Sequence, residues 1–187
     1  MTIPQRIIVI GVPTSGKSTL SKRLSFILGI PHIEIDQFRW DSQWNALPVD
    51  PVREALKQQL ALNNAWVFDG NIDTPFGEEA RQTADLIIWL DLSLPVLYWR
   101  FVKRAFQRTV LKQKGINENR ESLRFLFLNK NSHLYHLARI QATHRKRYPI
   151  ILAQLQQANP ALHLVHLHTP KEASGWLTTF YANSQQR

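Results

Sequence analysis

The sequence contains no cysteine, which excludes disulfides and thiolate metal sites and fits a reducing compartment. No stretch approaches the roughly 20 apolar residues of a membrane-spanning helix, and residues 1–6 lack the apolar core of a signal peptide. We therefore expect a cytoplasmic protein without a membrane partner. A chain of 187 residues suffices for one α/β domain with an inserted subdomain, whereas two full domains would be tight.

Acidic residues are scarce between residues 100 and 147. This stretch contains thirteen Lys or Arg residues and two acidic ones, Glu118 and Glu121, so its net charge is +11. The whole chain carries +9, which leaves the remaining residues with a charge of −2. A concentrated positive region implies a polyanionic ligand, which could be nucleotide phosphates or nucleic acid.

Residues 11–18 have the spacing of a phosphate-binding loop: Gly, four residues, then Gly-Lys-Ser. The glycines let the backbone curl, so that successive N–H groups point inward at a polyphosphate. Lys17 would then reach the β and γ phosphates, and the Ser18 hydroxyl would bind Mg²⁺. The helix that follows would offer its positive dipole end to the same anion. We therefore predict a nucleotide site here.

The flanking sequence supplies the strand and the helix that this motif needs. Residues 7–10 are β-branched and apolar, as in a buried parallel strand, while Leu20, Leu24 and Leu28 recur at helical spacing before Gly29. Further patterns predict strands at 32–36, 65–69, 85–91 and 162–167, and helices at 51–63, 95–112, 148–156 and 171–181. Strands that alternate with helices predict an α/β fold, a P-loop NTPase three-layer sandwich with a five-stranded parallel sheet, in one domain over residues 1–187.

Aspartates close three of the predicted strands, at Asp36, Asp69 and Asp91. Ligands of parallel sheets bind beyond the carboxyl ends of the strands, so we expect these carboxylates near the phosphate loop. An Asp after a strand is usually a turn residue or helix cap, but beside a phosphate loop it can hold Mg²⁺ or accept a proton. Asp69 is the better metal candidate because an apolar run precedes it. Asp91, followed by Ser93 and Pro95, is better explained as the start of a helix.

The predicted helix at 95–112 carries a row of arginines, since Arg100, Arg104 and Arg108 repeat every four residues. A solvated basic face is the ordinary explanation, yet Arg suits bidentate phosphate contacts and this helix leaves the binding edge of the sheet. The basic, aromatic-containing segment that follows has few turn signals. We predict a helical lid insertion at about residues 112–147, which folds over a nucleotide and excludes water.

Three aromatic residues, Phe38, Trp40 and Trp44, lie in a polar segment that we expect to form a loop or short helices with exposed aromatics. This segment could be a substrate flap or an aromatic cluster over one edge of the core, and the sequence favours neither.

We assign no functional role to any of the seven histidines. His133 and His136 have metal-ligand spacing, but no third ligand is evident. His163, His166 and His168 lie in or beside the last strand, where alternation with leucine indicates packing.

With these residues placed, the sequence resembles the P-loop kinases of the adenylate-kinase-related group, particularly small bacterial proteins labelled DNA topology modulation proteins. The resemblance spans nearly the whole chain. It is carried by the loop at 11–18, Ile35-Asp36 with Phe38 and Trp40, the block Trp-Val-Phe-Asp-Gly-Asn at 66–71, Trp99-Arg100 with Lys103-Arg104, and Arg-Lys-Arg at 145–147.

The resemblance implies ATP-dependent phosphoryl transfer with Mg²⁺ held by Ser18 and by Asp69, which matches the Asp-Gly after the third strand. Arg100 would lie near the base or phosphates, and backbone groups at Pro170 could meet the base. The residues expected to contact ATP are therefore Gly11, Pro13, Thr14, Ser15, Gly16, Lys17, Ser18, Thr19, Arg100 and Pro170.

Catalytic roles also follow from the resemblance. Arginines of the lid and of its supporting helix stabilise the transferring phosphoryl group in such kinases, which corresponds to Arg104 and to Arg145 or Arg147. Glu34-Ile35-Asp36 is similar to the Asp-x-Asp of small-molecule kinases, so Asp36 would orient the acceptor or accept its proton, beside Lys17.

One departure concerns the acceptor. After Asp69-Gly70 this chain has Asn71 where nucleotide kinases continue with Phe-Pro-Arg, although Arg81 could partly replace the missing arginine. We therefore expect an ATP-dependent kinase with a small hydroxyl- or phosphate-bearing acceptor, as a monomer or homodimer. Two alternatives stay open: a nucleotide-regulated DNA- or RNA-binding protein, and an NTPase without an acceptor.

Overall fold

A computed structural model describes residues 3–41, 45–110 and 133–185. In these ranges, strands alternate with helices along the chain. The strands are β1 (Arg6–Gly11), β2 (His32–Glu34), β3 (Trp66–Asp69), β4 (Leu86–Leu90) and β5 (His163–Leu167). The helices are α1 (Lys17–Leu28), α2 (Ile35–Arg39), α3 (Val49–Leu62), α4 (Glu78–Thr83), α5 (Leu94–Val110), α6 (His133–Ala158) and α7 (Pro170–Gln185).

The five strands form one parallel sheet in the order β2-β3-β1-β4-β5. β1 lies at the centre, where Ile8 pairs with Phe68 of β3 and with Ile87 of β4. Both faces of the central strands are buried, which explains why β1 and β4 consist almost entirely of apolar residues.

Alternate residues of β1 serve two separate cores, because successive side chains of a strand point to opposite faces. Ile8 and Ile10 pack in the core covered by α3, α4 and α6, while Ile7 and Val9 pack in the core covered by α1 and α7. The predicted three-layer α/β sandwich with a five-stranded parallel sheet is therefore confirmed.

The second strand is shorter than predicted. β2 ends at Glu34, and Asp36 lies in the first turn of α2, so the prediction that Asp36 closes a strand is wrong. Ile35 packs in the core as the first residue of α2. The chain therefore passes from strand to helix at the buried Ile35, and not at the Asp36 carboxylate.

The helix predicted to start at residue 148 begins fifteen residues earlier, because α6 runs from His133 through Pro149 to Ala158. A proline inside a helix removes one backbone hydrogen bond and is unfavourable by about 3 kcal/mol. Here the buried side chains of His144, Tyr148 and Leu152 hold the helix against the core on both sides of the exposed Pro149. Of the lid predicted at about 112–147, residues 112–132 lie outside the described residues, so the insertion stays a prediction.

The aromatic segment is less exposed than predicted. Phe38 is partly buried against the core, and Trp40 is half-buried with the guanidinium of Arg39 over its ring. Trp44 lies outside the described residues.

Among the helices in the described ranges, none has the length and apolar character needed to cross a membrane.

Candidate functional site

The loop between β1 and α1 has the backbone curl that its sequence predicts. Gly11 has φ 151° and Gly16 has φ 98°, values that L side chains rarely adopt. A Cβ on Gly11 would lie 2.7 Å from the carbonyl oxygen of Leu90, so the loop passes directly against the end of β4. α1 begins at Lys17, immediately after Gly16, so the helix N-terminus opens at the loop.

Two hydrogen bonds hold this loop from outside. The Thr14 hydroxyl donates to the Leu97 carbonyl at 3.1 Å, and Arg100 Nη1 donates to the Ser15 carbonyl at 2.6 Å. Both partners lie on α5, so the helix with the arginine row is the support of the loop. Partial burial lowers the pKa of Arg100, but an arginine stays charged at neutral pH.

Lys17 extends back over the loop, where its Nζ donates to the carbonyl oxygen of Val12 at 3.3 Å. The ammonium group therefore lies on the concave side formed by residues 12–17. This is the position from which a lysine can approach phosphates cradled by backbone N–H groups.

A carboxylate pair lies beside the start of α1. Glu34 and Asp69 are paired residues at the ends of β2 and β3, and the Ser18 hydroxyl donates to Glu34 Oε1 at 3.2 Å. Both carboxylates are buried, Asp69 with an exposed fraction of 3%. The contact of Glu34 with Ser18 was not predicted. The sequence signal that could have revealed this contact is that Glu34 is the residue directly before the buried Ile35, at the end of β2.

The surroundings of Asp69 keep it ionised. Burial by itself raises the pKa of Asp69, but His32, Lys17 and Ser18 together hold this pKa below its usual value. Within the described residues, its Oδ2 atom is buried without a hydrogen-bond partner, and such an atom normally has one. Oxygen donors of this kind are the ligands that Mg²⁺ prefers. The residues present therefore fit a magnesium ion.

The two late arginines lie on α6 and each pairs with a carboxylate at the same edge of the sheet. Arg145 Nε lies 2.8 Å from Asp91 Oδ1, and Arg147 Nη1 lies 3.2 Å from Asp73 Oδ2. Asp91 is buried, and α5 starts at Leu94. A helix does begin just after Asp91, as predicted, while the Asp91 carboxylate itself is held by Arg145 of α6.

A buried polar cluster adjoins Asp73. The Tyr148 hydroxyl lies 3.4 Å from Asp73 Oδ1 and 3.3 Å from His144 Nε2. Burial, with Asp73 nearby, raises the pKa of Tyr148 above its usual value, and burial lowers the pKa of His144. Both groups are therefore neutral at pH 7 and act as hydrogen-bonding groups. Asp73 is thus held by Arg147 and Tyr148 of α6.

Three further predicted residues lie on helices that begin at this edge. Arg104 is half-buried on α5, Thr19 is exposed on α1, and Pro170 starts α7 just beyond β5. Arg81 donates to the carbonyl oxygen of Ile72 at 2.7 Å. It therefore braces the segment after β3 within the protein.

The fold is similar to that of several solved kinases. Shikimate kinase from Bacteroides thetaiotaomicron matches with a TM-score of 0.54 and 15% sequence identity over 97% of this chain and 99% of that chain. A gluconokinase from Sinorhizobium meliloti 1021 matches with a TM-score of 0.50 and 18% identity over 98% and 97% of the two chains. Shikimate kinase from Acinetobacter baumannii, in complex with shikimate, matches with a TM-score of 0.52 and 15% identity over 96% and 94%.

The chain has the fold of these kinases. At such identities the likeness shows the fold and leaves the activity open. No family model and no curated protein matches the sequence, so the resemblance to DNA topology modulation proteins stays a prediction.

Proposed function

We propose that this protein is an ATP-dependent kinase that transfers the γ-phosphoryl group of ATP to a small-molecule acceptor. One observation carries the proposal: the glycine loop with Lys17 and the buried Glu34-Asp69 pair meet at Ser18, on the carboxyl edge of a kinase-like sheet. A loop alone would bind a polyphosphate. The adjacent carboxylates add a place for the cation that phosphoryl transfer requires.

ATP binding would use backbone groups of residues 11–19, with the Lys17 ammonium on the β and γ phosphates. Arg100 would act mainly through the loop, because its guanidinium holds the Ser15 carbonyl. Pro170 would lie near the base, since it follows β5 at this edge.

Ser18 and Asp69 would hold Mg²⁺, with Glu34 beside them. When bound, the ion neutralises negative charge on the β and γ phosphates. The residues of the chain position the reactants and stabilise charge, with Lys17 on one side of the phosphates and Arg104, Arg145 or Arg147 on the other. Arg145 and Arg147 would have to exchange Asp91 and Asp73 for the phosphoryl group.

The acceptor is proposed to be a small hydroxylated compound. The similar structures include a gluconokinase and a shikimate kinase bound to shikimate, which supports an acceptor of this size. Arg81 is engaged by the Ile72 carbonyl, which weakens the case for a nucleoside monophosphate. Asp36, half-buried in α2, would orient the acceptor hydroxyl or take its proton.

The test replaces Lys17 with Met and measures ATP binding by calorimetry and phosphotransfer to a panel of hydroxylated metabolites. We expect kcat/KM to fall at least about 100-fold, the usual effect of losing one preorganised charge contact. Lys22→Met is the matched control, because Lys22 is exposed on the same helix. Unchanged ATP affinity and turnover in Lys17→Met would refute the proposal.

Two further measurements, nucleic-acid binding by Lys17→Met and ATP hydrolysis without an acceptor, separate the alternatives. A nucleic-acid-binding protein would bind DNA or RNA with an affinity that falls steeply with salt and survives Lys17→Met. An NTPase would hydrolyse ATP at full rate without an acceptor.

A further inference from the structure

A second cluster of metal-ligand groups lies on the other side of the phosphate loop. Asp91 Oδ2 is 3.4 Å from His166 Nε2 and 3.9 Å from His168 Nδ1, and the three ligand atoms all lie within 4.8 Å of one another. We infer that Asp91, His166 and His168 form a binding site for a transition-metal dication such as Zn²⁺.

The sheet builds this cluster from two neighbouring strands. The Asp91 amide donates to the carbonyl oxygen of Leu167 at 2.9 Å, so Asp91 lies beside the midpoint between the two histidines. Residues two apart in an extended segment point to the same side, which brings His166 and His168 together. Their rings have centroids 4.0 Å apart.

The separations suit a dication after a small closing movement. Zinc binds imidazole nitrogen at about 2.0–2.1 Å and carboxylate oxygen at about 2.0–2.2 Å, usually in a tetrahedron. Ligand atoms around such an ion are therefore about 3.3–3.5 Å apart. The Asp91–His166 distance of 3.4 Å already agrees. The exposed His168 side chain would have to move closer to both partners, by about 0.5 Å in the case of Asp91.

Surrounding groups orient Asp91 and His166. Arg145 Nε donates to both oxygens of Asp91, to Oδ1 at 2.8 Å and to Oδ2 at 3.1 Å, and Gln141 Nε2 donates to Oδ1. A metal ion on Oδ2 would therefore replace the longer of the two Arg145 contacts. The His166 ring stacks on Trp89 with centroids 3.9 Å apart and an interplanar angle of 4°. Such partners fix ligand orientation and commonly change metal affinity by about 10–100-fold.

The position and chemistry of this cluster separate it from the predicted magnesium site. The Glu34-Asp69 pair lies at the ends of β2 and β3. Asp91 directly follows β4, and the two histidines lie at the end of β5 and directly after it, with β1 and its loop between the two sites. Imidazole favours transition metals, while Mg²⁺ prefers oxygen ligands. Side chains of His166 and His168 are 41% and 56% exposed, so a dissolved ion and a water ligand can reach the site.

The positive charge of Arg145 should affect metal binding at this cluster. Its guanidinium lies on the same carboxylate, so a dication there meets a neighbouring positive charge. Removing this charge by Arg145→Gln should therefore tighten Zn²⁺ binding by at least about tenfold, because a guanidinium a few ångströms from a dication repels it by that much even at the dielectric constant of water.

The experiment titrates ZnCl₂ into the full-length, tag-free protein by calorimetry, with millimolar MgCl₂ present to occupy the oxygen site. We expect one Zn²⁺ per chain, and we expect His166→Asn and His168→Asn each to weaken binding at least about tenfold. His163→Asn is the matched control, because His163 is exposed on the same strand outside the cluster. Circular dichroism checks that each variant stays folded.

The outcomes separate this inference from the proposed kinase activity. Zinc binding that persists in Lys17→Met, disappears in the two histidine variants and tightens in Arg145→Gln supports the site whether or not the protein is a kinase. Three results would overturn it: no zinc binding by the parent protein, equal losses in His163→Asn and His166→Asn, or a loss in Asp69→Asn in place of the histidine variants.

Discussion

Arg100 Nη1 donates a hydrogen bond of 2.6 Å to the backbone carbonyl of Ser15, which joins the middle of α5 to the middle of the phosphate loop. The same nitrogen lies 3.0 Å from where a Cβ on Gly16 would be. The guanidinium thus lies against the backbone of both Ser15 and Gly16. Together with the Thr14–Leu97 hydrogen bond, it helps to fix a backbone whose N–H groups are proposed to point at one anion.

Removing this support should weaken nucleotide binding. We expect Arg100→Gln to lower ATP affinity about tenfold, because a loop that is no longer preorganised must be ordered when ATP binds. Calorimetry measures the affinity, and Lys103→Gln, an exposed position on the same helix, controls for the loss of one positive charge. Equal affinities of the two variants would show that charge, and not the Ser15 contact, is the cause.

The close approach of Gly11 to β4 gives a prediction about stability. Gly11→Ala places a methyl group 2.7 Å from both the Leu90 carbonyl oxygen and Ser15 Oγ, at φ 151°. We expect the free energy of unfolding to fall by about 2–3 kcal/mol, since overpacking and backbone strain of this kind each cost about 1–3 kcal/mol. Urea denaturation followed by circular dichroism measures the change.

Gly175→Ala is the opposing control. Gly175 lies inside α7, and a Cβ there meets nothing within 4 Å. Alanine in an open helical position stabilises a protein by about 0.5–1 kcal/mol relative to glycine. If both substitutions change stability in the same direction, the clash at Gly11 is not the controlling effect.

The sequence predicted the elements whose signals are local. The apolar run of β1, the spacing of residues 11–18 and the carboxylate of Asp69 all follow from short patterns, and the structure brings them to one edge. The end of β2 was misplaced because β2 has three residues and α2 has five. Hydrophobic periodicity cannot locate the boundary between two elements as short as these.

The relationships that the sequence did not reveal join distant residues. Arg145 and Asp91 are 54 positions apart, and their ion pair depends on how α6 crosses the end of β4. Alternation with leucine in β5 indicates packing for its histidines, and only the order of the strands shows that Asp91 lies beside His166 and His168. Strand order β2-β3-β1-β4-β5 follows from packing of the whole domain, and no short pattern encodes it.

Glu34 and Asp36 are proposed to have different roles, Glu34 beside the Mg²⁺ site and Asp36 at the acceptor, and kinetics can distinguish these roles. We expect Glu34→Gln to raise the Mg²⁺ concentration needed for half-maximal ATP turnover about tenfold, because the charge beside Ser18 is lost while a hydrogen-bond acceptor remains. Asp36→Asn should instead lower kcat or raise KM for the acceptor at unchanged Mg²⁺ dependence. Steady-state kinetics at varied MgCl₂ decide between them, with Glu54→Gln, exposed on α3, as the control. An unchanged Mg²⁺ dependence in Glu34→Gln would contradict the assignment.

Asp85 joins β1 and β4 at the opposite, amino edge of the sheet. Its Oδ2 accepts the backbone N–H groups of Gln5 and Arg6, and its Oδ1 accepts from Arg6 Nη2 at 2.9 Å. Partial burial would raise the pKa of Asp85, but these hydrogen bonds and the charge of Arg6 hold this pKa below its usual value. The folded state therefore binds the Asp85 proton less tightly than the unfolded chain does.

Because the pKa is lower in the folded state, ionised Asp85 stabilises the protein above its unfolded pKa, and this contribution is lost as pH falls through the folded pKa. We expect Asp85→Asn to reduce the free energy of unfolding at pH 7 by about 1 kcal/mol, a value discounted for partial exposure. The difference from the parent should shrink below about pH 4, because there the unfolded parent chain begins to bind a proton at Asp85 while the folded state does so only at lower pH. Urea denaturation from pH 3 to pH 7 measures it, with exposed Glu54→Gln as control. A difference that stays constant over this range would show that the ion pair is not its source.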